Sequence, residues 1–121
     1  ALRIRKIFGG GMRQAGYLAA AGMYALQNNI SRLEEDHRKA KELGEILSTL
    51  PFIYKVEPIE TNIVIFTLKS DISEVQFIDK LKEKNINISN MGQGKLRMVT
   101  HLDYKQVMHD YVMETLSKIS F

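Results

Sequence analysis

The 121-residue sequence is long enough for one domain with a hydrophobic core, or for a piece of a longer protein. It contains no cysteine, which excludes disulfide bonds, a thiolate metal site and a cysteine nucleophile, and which favours a cytoplasmic protein. The net charge of +3 is too small to indicate nucleic-acid binding by itself, and no apolar run has the ~20 residues of a membrane-spanning helix.

The charges are unevenly distributed along the chain. Before Glu34 there is no acidic residue, but there are five basic ones: Arg3, Arg5, Lys6, Arg13 and Arg32. A basic arm that binds RNA, an anion site and a surface for an acidic partner would each explain this excess. Hydrophobic residues interleave with the basic ones from the start, which disfavours the RNA-binding arm.

The first half of the sequence predicts three helices. Residues 1–8 have a helical pattern that looks cut at its start, which indicates a fragment of a longer protein, and Gly9–Gly11 end this helix. Residues 12–28 are rich in alanine and predict a second helix. A third helix is predicted from Ser31 to Pro51, where apolar residues recur at helical spacing: Leu33, Ala40, Leu43, Ile46, Leu47 and Leu50.

The second half predicts a small sheet with two more helices. Its β-branched or alternating stretches predict four strands, at Tyr54–Pro58, Asn62–Leu68, Ile86–Asn90 and Lys95–His101. The first of these is expected at an edge of the sheet, because Pro58 cannot donate to a strand ladder. Helices are predicted at Ser73–Asn85 and Asp103–Ser120, with Ser73 and Asp103 as their N-caps.

These elements predict an α+β fold, with a small, mostly antiparallel sheet and helices on one of its faces. Residues 1–50 are expected to be connecting and interface helices, and residues 51–121 a βαββα-like small domain. The inward-facing residues of the two later helices are expected to be Val75, Phe77, Ile78, Leu81, Val107, Tyr111, Val112 and Leu116.

The three glycines Gly9–Gly11 leave two interpretations open. They do not form a Walker-type phosphate loop, because no strand precedes them and no Gly-Lys-Ser/Thr sequence follows. A turn between two helices is one interpretation. An anion site is the other, since Arg13 stands just before an apolar helix, and a helix N-terminus attracts anions.

Arg97 is the second candidate for anion binding. Strand alternation puts Leu96, Met98 and Thr100 on one face and Arg97, Val99 and His101 on the other. Arg97 is then either a solvated edge residue or part of a cleft. In a cleft it would suit a carboxylate, which an arginine can hold by two parallel hydrogen bonds.

The three histidines do not indicate a metal site. They are scattered along the chain and have no ligand spacing with a third ligand. His101 is expected to hydrogen-bond the backbone near Asp103. His37 and His109, each beside acidic residues on a helix, are expected at the surface or at an interface.

Three blocks of the sequence resemble the low-specificity threonine aldolases: RKIFGGGMRQAGYLAAAGMYAL, RLEEDH and LRMVTHLD. They occur in the family's order, TNIV falls between the second and third, and the resemblance covers essentially the whole chain. These enzymes belong to the β-eliminating lyase group of fold-type-I pyridoxal-phosphate (PLP) enzymes. They cleave β-hydroxy-α-amino acids such as threonine to glycine and an aldehyde, and the cofactor ring takes up the electrons of the broken bond.

The resemblance implies that the 121 residues are the C-terminal part of such an enzyme. A large domain with the Schiff-base lysine should then precede Ala1, and the fragment alone should be inactive, with no catalytic residue of its own. The family's active sites form between subunits of a tetramer. The implied partners are therefore an amino-acid substrate, the large domain and further copies of the chain, with no nucleic acid and no membrane.

Two parts of the implied active site fall within this sequence. Arg97 matches the family arginine that holds the substrate carboxylate. Arg13 and Lys6 match basic residues near the cofactor phosphate, which they reach from a neighbouring subunit. A stand-alone α+β module that binds an anionic ligand or a protein partner without catalysis is the alternative function.

Overall fold

The computed structural model describes residues 1–121, which form two compact units, Ala1–Arg32 and Leu33–Phe121. The first unit contains helix α1 (Leu2–Ile7) and helix α2 (Gly16–Asn28), and neither helix has a buried residue. Helix α2 begins later than predicted because Gln14, with φ 55°, adopts a left-handed conformation that a helix cannot include.

The second unit contains the remaining elements. They are α3 (Leu33–Thr49), β1 (Ile53–Val56), β2 (Ile63–Leu68), α4 (Glu74–Glu83), β3 (Ser89–Gly92), β4 (Lys95–Val99) and α5 (Gln106–Lys118). The four strands form one sheet in the order β1-β2-β4-β3, and every pair is antiparallel. The predicted α+β fold class is confirmed, and β1 lies at an edge of the sheet as expected.

The core lies between the sheet and the helices of the second unit. Val64 and Phe66 of β2 and Leu96 and Met98 of β4 are buried, because alternate residues of a strand point to the same face. The helices complete this core with Ala40, Leu43, Leu47, Phe77, Leu81, Val112 and Leu116. We call the opposite side of the sheet the outer face; it carries no helix of the second unit.

Helix α3 belongs to the second unit, since three of its residues are part of this core. The domain boundary that the sequence suggests at residue 50 stays a prediction about the organisation of the whole protein. No helix in the structure has both the length and the apolar character needed to cross a membrane.

Strand β3 is displaced along the chain from its predicted position. Ile86 and Ile88 supply the alternating pattern of the predicted strand, and both pack partly buried against the core without pairing. Pairing begins only at Ser89, opposite Arg97, and is irregular between Asn90 and Gly92. The alternation therefore reflected side-chain burial, which an unpaired segment can also satisfy.

The start of α5 also differs from the prediction. The helix begins at Gln106 after Lys105, which makes no side-chain cap, so the predicted cap at Asp103 is wrong. The N–H of Asp103 instead bonds His101 Nδ1 (3.2 Å) within the turn that follows β4. The cap predicted at Ser73 is confirmed, because its hydroxyl accepts a hydrogen bond from the N–H of Gln76.

Candidate functional site

Arg97 lies in the middle of β4 on the outer face of the sheet. It pairs with Ile65 of β2 on one side and with Ser89 of β3 on the other. Its neighbours along the strand, Leu96 and Met98, are buried in the core, so the predicted alternation of faces is confirmed. The arginine is thus held on both sides by strands, which gives its backbone a fixed position.

The guanidinium of Arg97 contains an unsatisfied donor. Its Nε atom is the only buried side-chain nitrogen or oxygen of the chain without a hydrogen-bond partner. A buried donor without a partner costs about 1–3 kcal/mol, so each such group in a native structure calls for an explanation. The planar fork of a guanidinium matches the two oxygens of a carboxylate, so an anion of this kind is a suitable partner for Arg97.

No acidic side chain of the sheet neutralises Arg97. Glu57, which follows β1, pairs instead with Lys55 (2.6 Å) and Lys95 (3.6 Å). The hydrogen bond from Lys55 is the largest of the causes that lower the pKa of Glu57, and together with the charges of Lys55 and Lys95 it outweighs the opposing effect of burial. The positive charge of Arg97 is therefore not neutralised by an ion pair within the sheet.

The end of β4 is fixed by hydrogen bonds of Thr100 and Asn62. The Thr100 N–H donates to the Asn62 carbonyl (3.0 Å), and Asn62 Nδ2 donates to the Thr100 carbonyl (2.6 Å). The Thr100 hydroxyl donates to the backbone carbonyl of Asp36 in α3 (2.7 Å). We call these three bonds the strand-end clamp; they join β2, β4 and α3 three residues beyond Arg97.

A buried polar cluster lies next to this clamp, between α3 and α5. Lys39 is only 2% exposed and donates to the Tyr104 carbonyl (2.8 Å) while it pairs with Glu35 (2.7 Å). His109 lies between the Glu42 carboxylate (2.8 Å) and the Tyr104 hydroxyl (3.3 Å). The prediction of a surface or interface position for His109 is wrong, because this histidine is 2% exposed.

Two groups of the cluster have shifted pKa values. Burial, with a smaller contribution from the charge of Asp110, raises the pKa of Tyr104 to about 12. Burial opposes ionisation of Glu42 too, but the hydrogen bonds from Arg38 and His109, together with the charge of Arg38, outweigh it and lower the pKa of that carboxyl. The cluster is therefore structural: it attaches the segment after β4 to α3.

The other two histidines are not part of this cluster. The prediction for His101 is confirmed, since its Nδ1 accepts the N–H of Asp103. His37 is half-buried on α3.

Lys6 and Arg13 lie in the first unit, on either side of the glycines. Both side chains are exposed and form no hydrogen bond or ion pair. A Cβ atom at Gly10 would clash with the Arg5 side chain and would lie 2.8 Å from its carbonyl oxygen, so this turn requires glycine. Two unpaired cations beside a tight turn are chemically suited to a phosphate group.

The sequence did not reveal the strand-end clamp. Strand alternation predicts Thr100 on the same face as Leu96 and Met98, but it indicates no role for the hydroxyl. The available signal was a polar residue on the buried face of a strand. Such a side chain needs a hydrogen-bond partner inside the protein. Asn62 gave no signal of this kind, since it is only half-buried.

Known proteins share both the sequence and the fold. A profile of the beta-eliminating lyase family matches residues 1–71. The low-specificity L-threonine aldolase of Escherichia coli O157:H7 is 42% identical over 103 residues, which cover 85% of this chain and 29% of that protein. The probable low-specificity L-threonine aldolase 2 of Arabidopsis thaliana is 33% identical over 119 residues, 96% of this chain and 34% of that protein.

A solved structure confirms the fold class. It is a mutant of the cystine C–S lyase C-DES with glycine covalently linked to its PLP cofactor. It matches 88% of this chain and 29% of its own chain, with a TM-score of 0.64 and 19% identity. The chain thus spans about a third of the length of the proteins that it matches.

Proposed function

The chain belongs to the beta-eliminating lyase family, and on that premise we propose that it is the C-terminal part of a PLP-dependent aldolase. The substrates would be threonine-like β-hydroxy-α-amino acids, cleaved to glycine and an aldehyde. Similarity to proteins named threonine aldolase supports this proposal. The single observation that carries it is the buried, unpartnered Nε of Arg97 on the outer face of the sheet.

Arg97 would hold the carboxylate of the amino acid. Two parallel hydrogen bonds from one guanidinium fix both the position and the rotation of a carboxylate. Through the carboxylate they also fix which bond of the substrate Cα is aligned for cleavage. When bound, PLP supplies an acceptor for the electrons that the breaking bond leaves on Cα.

Lys6 and Arg13 would hold the phosphate of the cofactor in a neighbouring copy of the protein. The support for this is chemical: both cations are exposed and unpaired, and no acidic residue precedes Glu34. Phosphate oxygens accept charge-assisted hydrogen bonds from both side-chain types. The two residues would thus bind cofactor, whereas Arg97 would bind substrate.

The proposed assembly is a cytoplasmic homotetramer. Large apolar side chains are exposed along both helices of the first unit, among them Leu2, Ile4, Ile7, Phe8, Tyr17, Leu18, Met23, Tyr24 and Leu26. Monomeric proteins rarely leave so much contiguous apolar surface in water. The Schiff-base lysine would lie in a larger domain that precedes these residues, so the 121 residues alone should not cleave threonine.

The test is Arg97→Ala in the full-length protein that contains this chain. We expect KM for threonine to rise about 100-fold, because a charge-assisted arginine–carboxylate contact contributes roughly 3 kcal/mol. The cofactor absorbance should stay at the wild-type level, since Arg97 would contact substrate and not cofactor. Glycine release from threonine and the absorbance spectrum are the two measurements.

Lys69→Ala is the matched control, because it removes a positive charge just beyond β2 that has no side-chain partner. Its KM should equal that of the wild type. Loss of the bound cofactor in Arg97→Ala would assign Arg97 to the cofactor and contradict the proposed role. A wild-type protein that binds amino acids without releasing glycine would favour the non-catalytic binding module instead.

A further inference from the structure

We propose that Thr100 and Asn62 are positioning residues for Arg97, and that the Thr100 hydroxyl sets how well the arginine meets the substrate carboxylate. This inference rests on the proposed function of Arg97 as the carboxylate-binding residue. It concerns side chains that touch no substrate and that act through the strand on which Arg97 lies. The structure supports it through the strand-end clamp.

The clamp lies close to Arg97 along the same chain segment. Thr100 follows Arg97 by three residues, which in an extended strand corresponds to about 10 Å. Between them the β2–β4 ladder is continuous, with Ile65 opposite Arg97 and Ile63 opposite Val99. A shift of the strand end along or away from β2 is therefore transmitted to Arg97.

The other side of β4 gives less support. Strand β3 is the edge strand, and its pairing with β4 is irregular between Asn90 and Gly92. The Gly92–Gly94 turn that joins the two strands contains three consecutive residues with positive φ: Gly92, Gln93 and Gly94. Beyond the Ser89–Arg97 pair, regular support for β4 therefore comes from β2 and from the clamp.

The hydroxyl of Thr100 is the only part of the clamp that contacts a helix. Thr100 is 0% exposed, and its Oγ1 donates to the Asp36 carbonyl at 2.7 Å. Without this bond, the strand end would be tied to β2 alone, and a buried polar contact would be lost. The clamp thus attaches the strand that carries Arg97 to helix α3 as well as to β2.

A misplaced Arg97 would change how the substrate carboxylate is bound. The two hydrogen bonds of a guanidinium–carboxylate pair depend steeply on distance and angle. A small displacement of Arg97 would weaken ground-state binding of the amino acid. It would leave the cofactor untouched, because neither Thr100 nor Arg97 belongs to the proposed phosphate contacts.

The experiment compares Thr100→Val with Thr100→Ser in the full-length protein. Valine keeps the shape and removes the hydrogen bond, whereas serine keeps the hydroxyl. We expect a rise in KM for threonine of about tenfold in the valine variant, as misplacements of ~1 Å can cost up to 100-fold. The kcat and the cofactor absorbance should stay within twofold of wild type, and serine should restore KM.

Thr115→Val is the matched control for loss of a threonine hydroxyl. Thr115 lies on α5, and its Oγ1 donates to the Tyr111 carbonyl at 2.8 Å, away from β4. Its KM should equal that of wild type. A valine variant at position 100 with a lowered melting temperature and an unchanged KM would show that the clamp is only structural, and would overturn the proposal.

Two further measurements keep the inference testable. If Thr100→Val does not fold, Asn62→Ala removes the 2.6 Å bond from the other, half-buried side of the clamp and should raise KM in the same way. The ¹⁵N resonance of the Arg97 Nε–H group should shift in Thr100→Val and not in Thr115→Val. An unshifted resonance would contradict the proposal.

This NMR measurement does not depend on aldolase activity. If the wild-type protein did not cleave threonine, the proposed function would be contradicted. The Arg97 resonance would still decide whether the clamp positions the arginine, so the two failures are distinguishable.

Discussion

Helix α2 of the first unit and helix α3 of the second bury very different amounts of surface, although α2 is the more apolar of the two. Every residue of α2 is at least partly exposed, and Leu26 is 68% exposed. Helix α3 is rich in charged residues, and its Leu47 is fully buried. A core requires an apolar stripe on one side of a helix, which α3 has and α2, apolar all round, lacks.

The comparison shows two uses of apolar residues in one chain. In α3 they stabilise the fold of the second unit. In α2 the large apolar side chains remain exposed, and in the proposed assembly they would contact another protein chain. The predictions below test whether the two helices differ in this way.

The largest expected effect is on the free energy of unfolding. Leu47→Ala should lower it by about 3 kcal/mol, because the substitution leaves a cavity in the core. Leu26→Ala, the matched change in α2, should alter it by less than about 0.5 kcal/mol. Urea denaturation of the isolated chain measures both, and equal losses would contradict the division of roles.

A smaller effect is expected for cofactor binding through the first unit. In the full-length protein, Arg13→Ala should weaken PLP retention about tenfold, as expected for one lost charge-assisted contact of roughly 1.5 kcal/mol. Weaker association of subunits, measured by sedimentation, is the other expected consequence. Arg3→Ala removes an exposed arginine of α1 and serves as the control. Wild-type values in both measurements would leave Arg13 without a functional role.

The smallest expected effect is the pH dependence contributed by Glu42 of the second unit. Its pKa is lower in the folded protein than in the unfolded chain, so its ion pairs stabilise the protein above pH ~4.5. This stabilisation is lost as the pH falls through the lower, folded value. Since the carboxylate is 35% exposed, the contribution should be below about 1 kcal/mol.

Glu42→Gln should therefore reduce the free energy of unfolding more at pH 7 than at pH 3. Denaturation curves at the two pH values measure this difference. Glu83→Gln provides the control, because no ion pair is lost there. A Glu42 variant that loses equal stability at both pH values would show that charge is not the cause.

The sequence predicted the fold class and the two faces of β4 because both depend on local periodicity. Strand alternation separates Leu96 and Met98 from Arg97 without knowledge of the partner strands. The same rule failed at Ile86 and Ile88, where partial burial imitates strand pairing. Helical periodicity was wrong at three positions, since Val75, Val107 and Tyr111 are 63%, 80% and 47% exposed, and His109 takes a buried position in α5 instead.

The candidate site was only partly visible in the sequence. Strand alternation predicts the face on which Arg97 lies. That its Nε has no hydrogen-bond partner can be seen only in the three-dimensional packing around it. The clamp and the buried cluster join residues that are far apart in sequence; Thr100 and Asp36 are 64 residues apart. Asp36 accepts the hydrogen bond with its backbone carbonyl. A pattern of side chains in the sequence cannot predict a contact that a backbone group makes.

The alternation along β4 has a consequence for how this protein can change by insertion or deletion. Even-numbered residues of the strand fill the core, and odd-numbered ones, including Arg97, form the outer face. Removal of one residue inside the strand would exchange the two sets, exposing leucine and methionine and burying a guanidinium. Within β4, a deletion of this kind would therefore disrupt the core and displace the arginine at the same time.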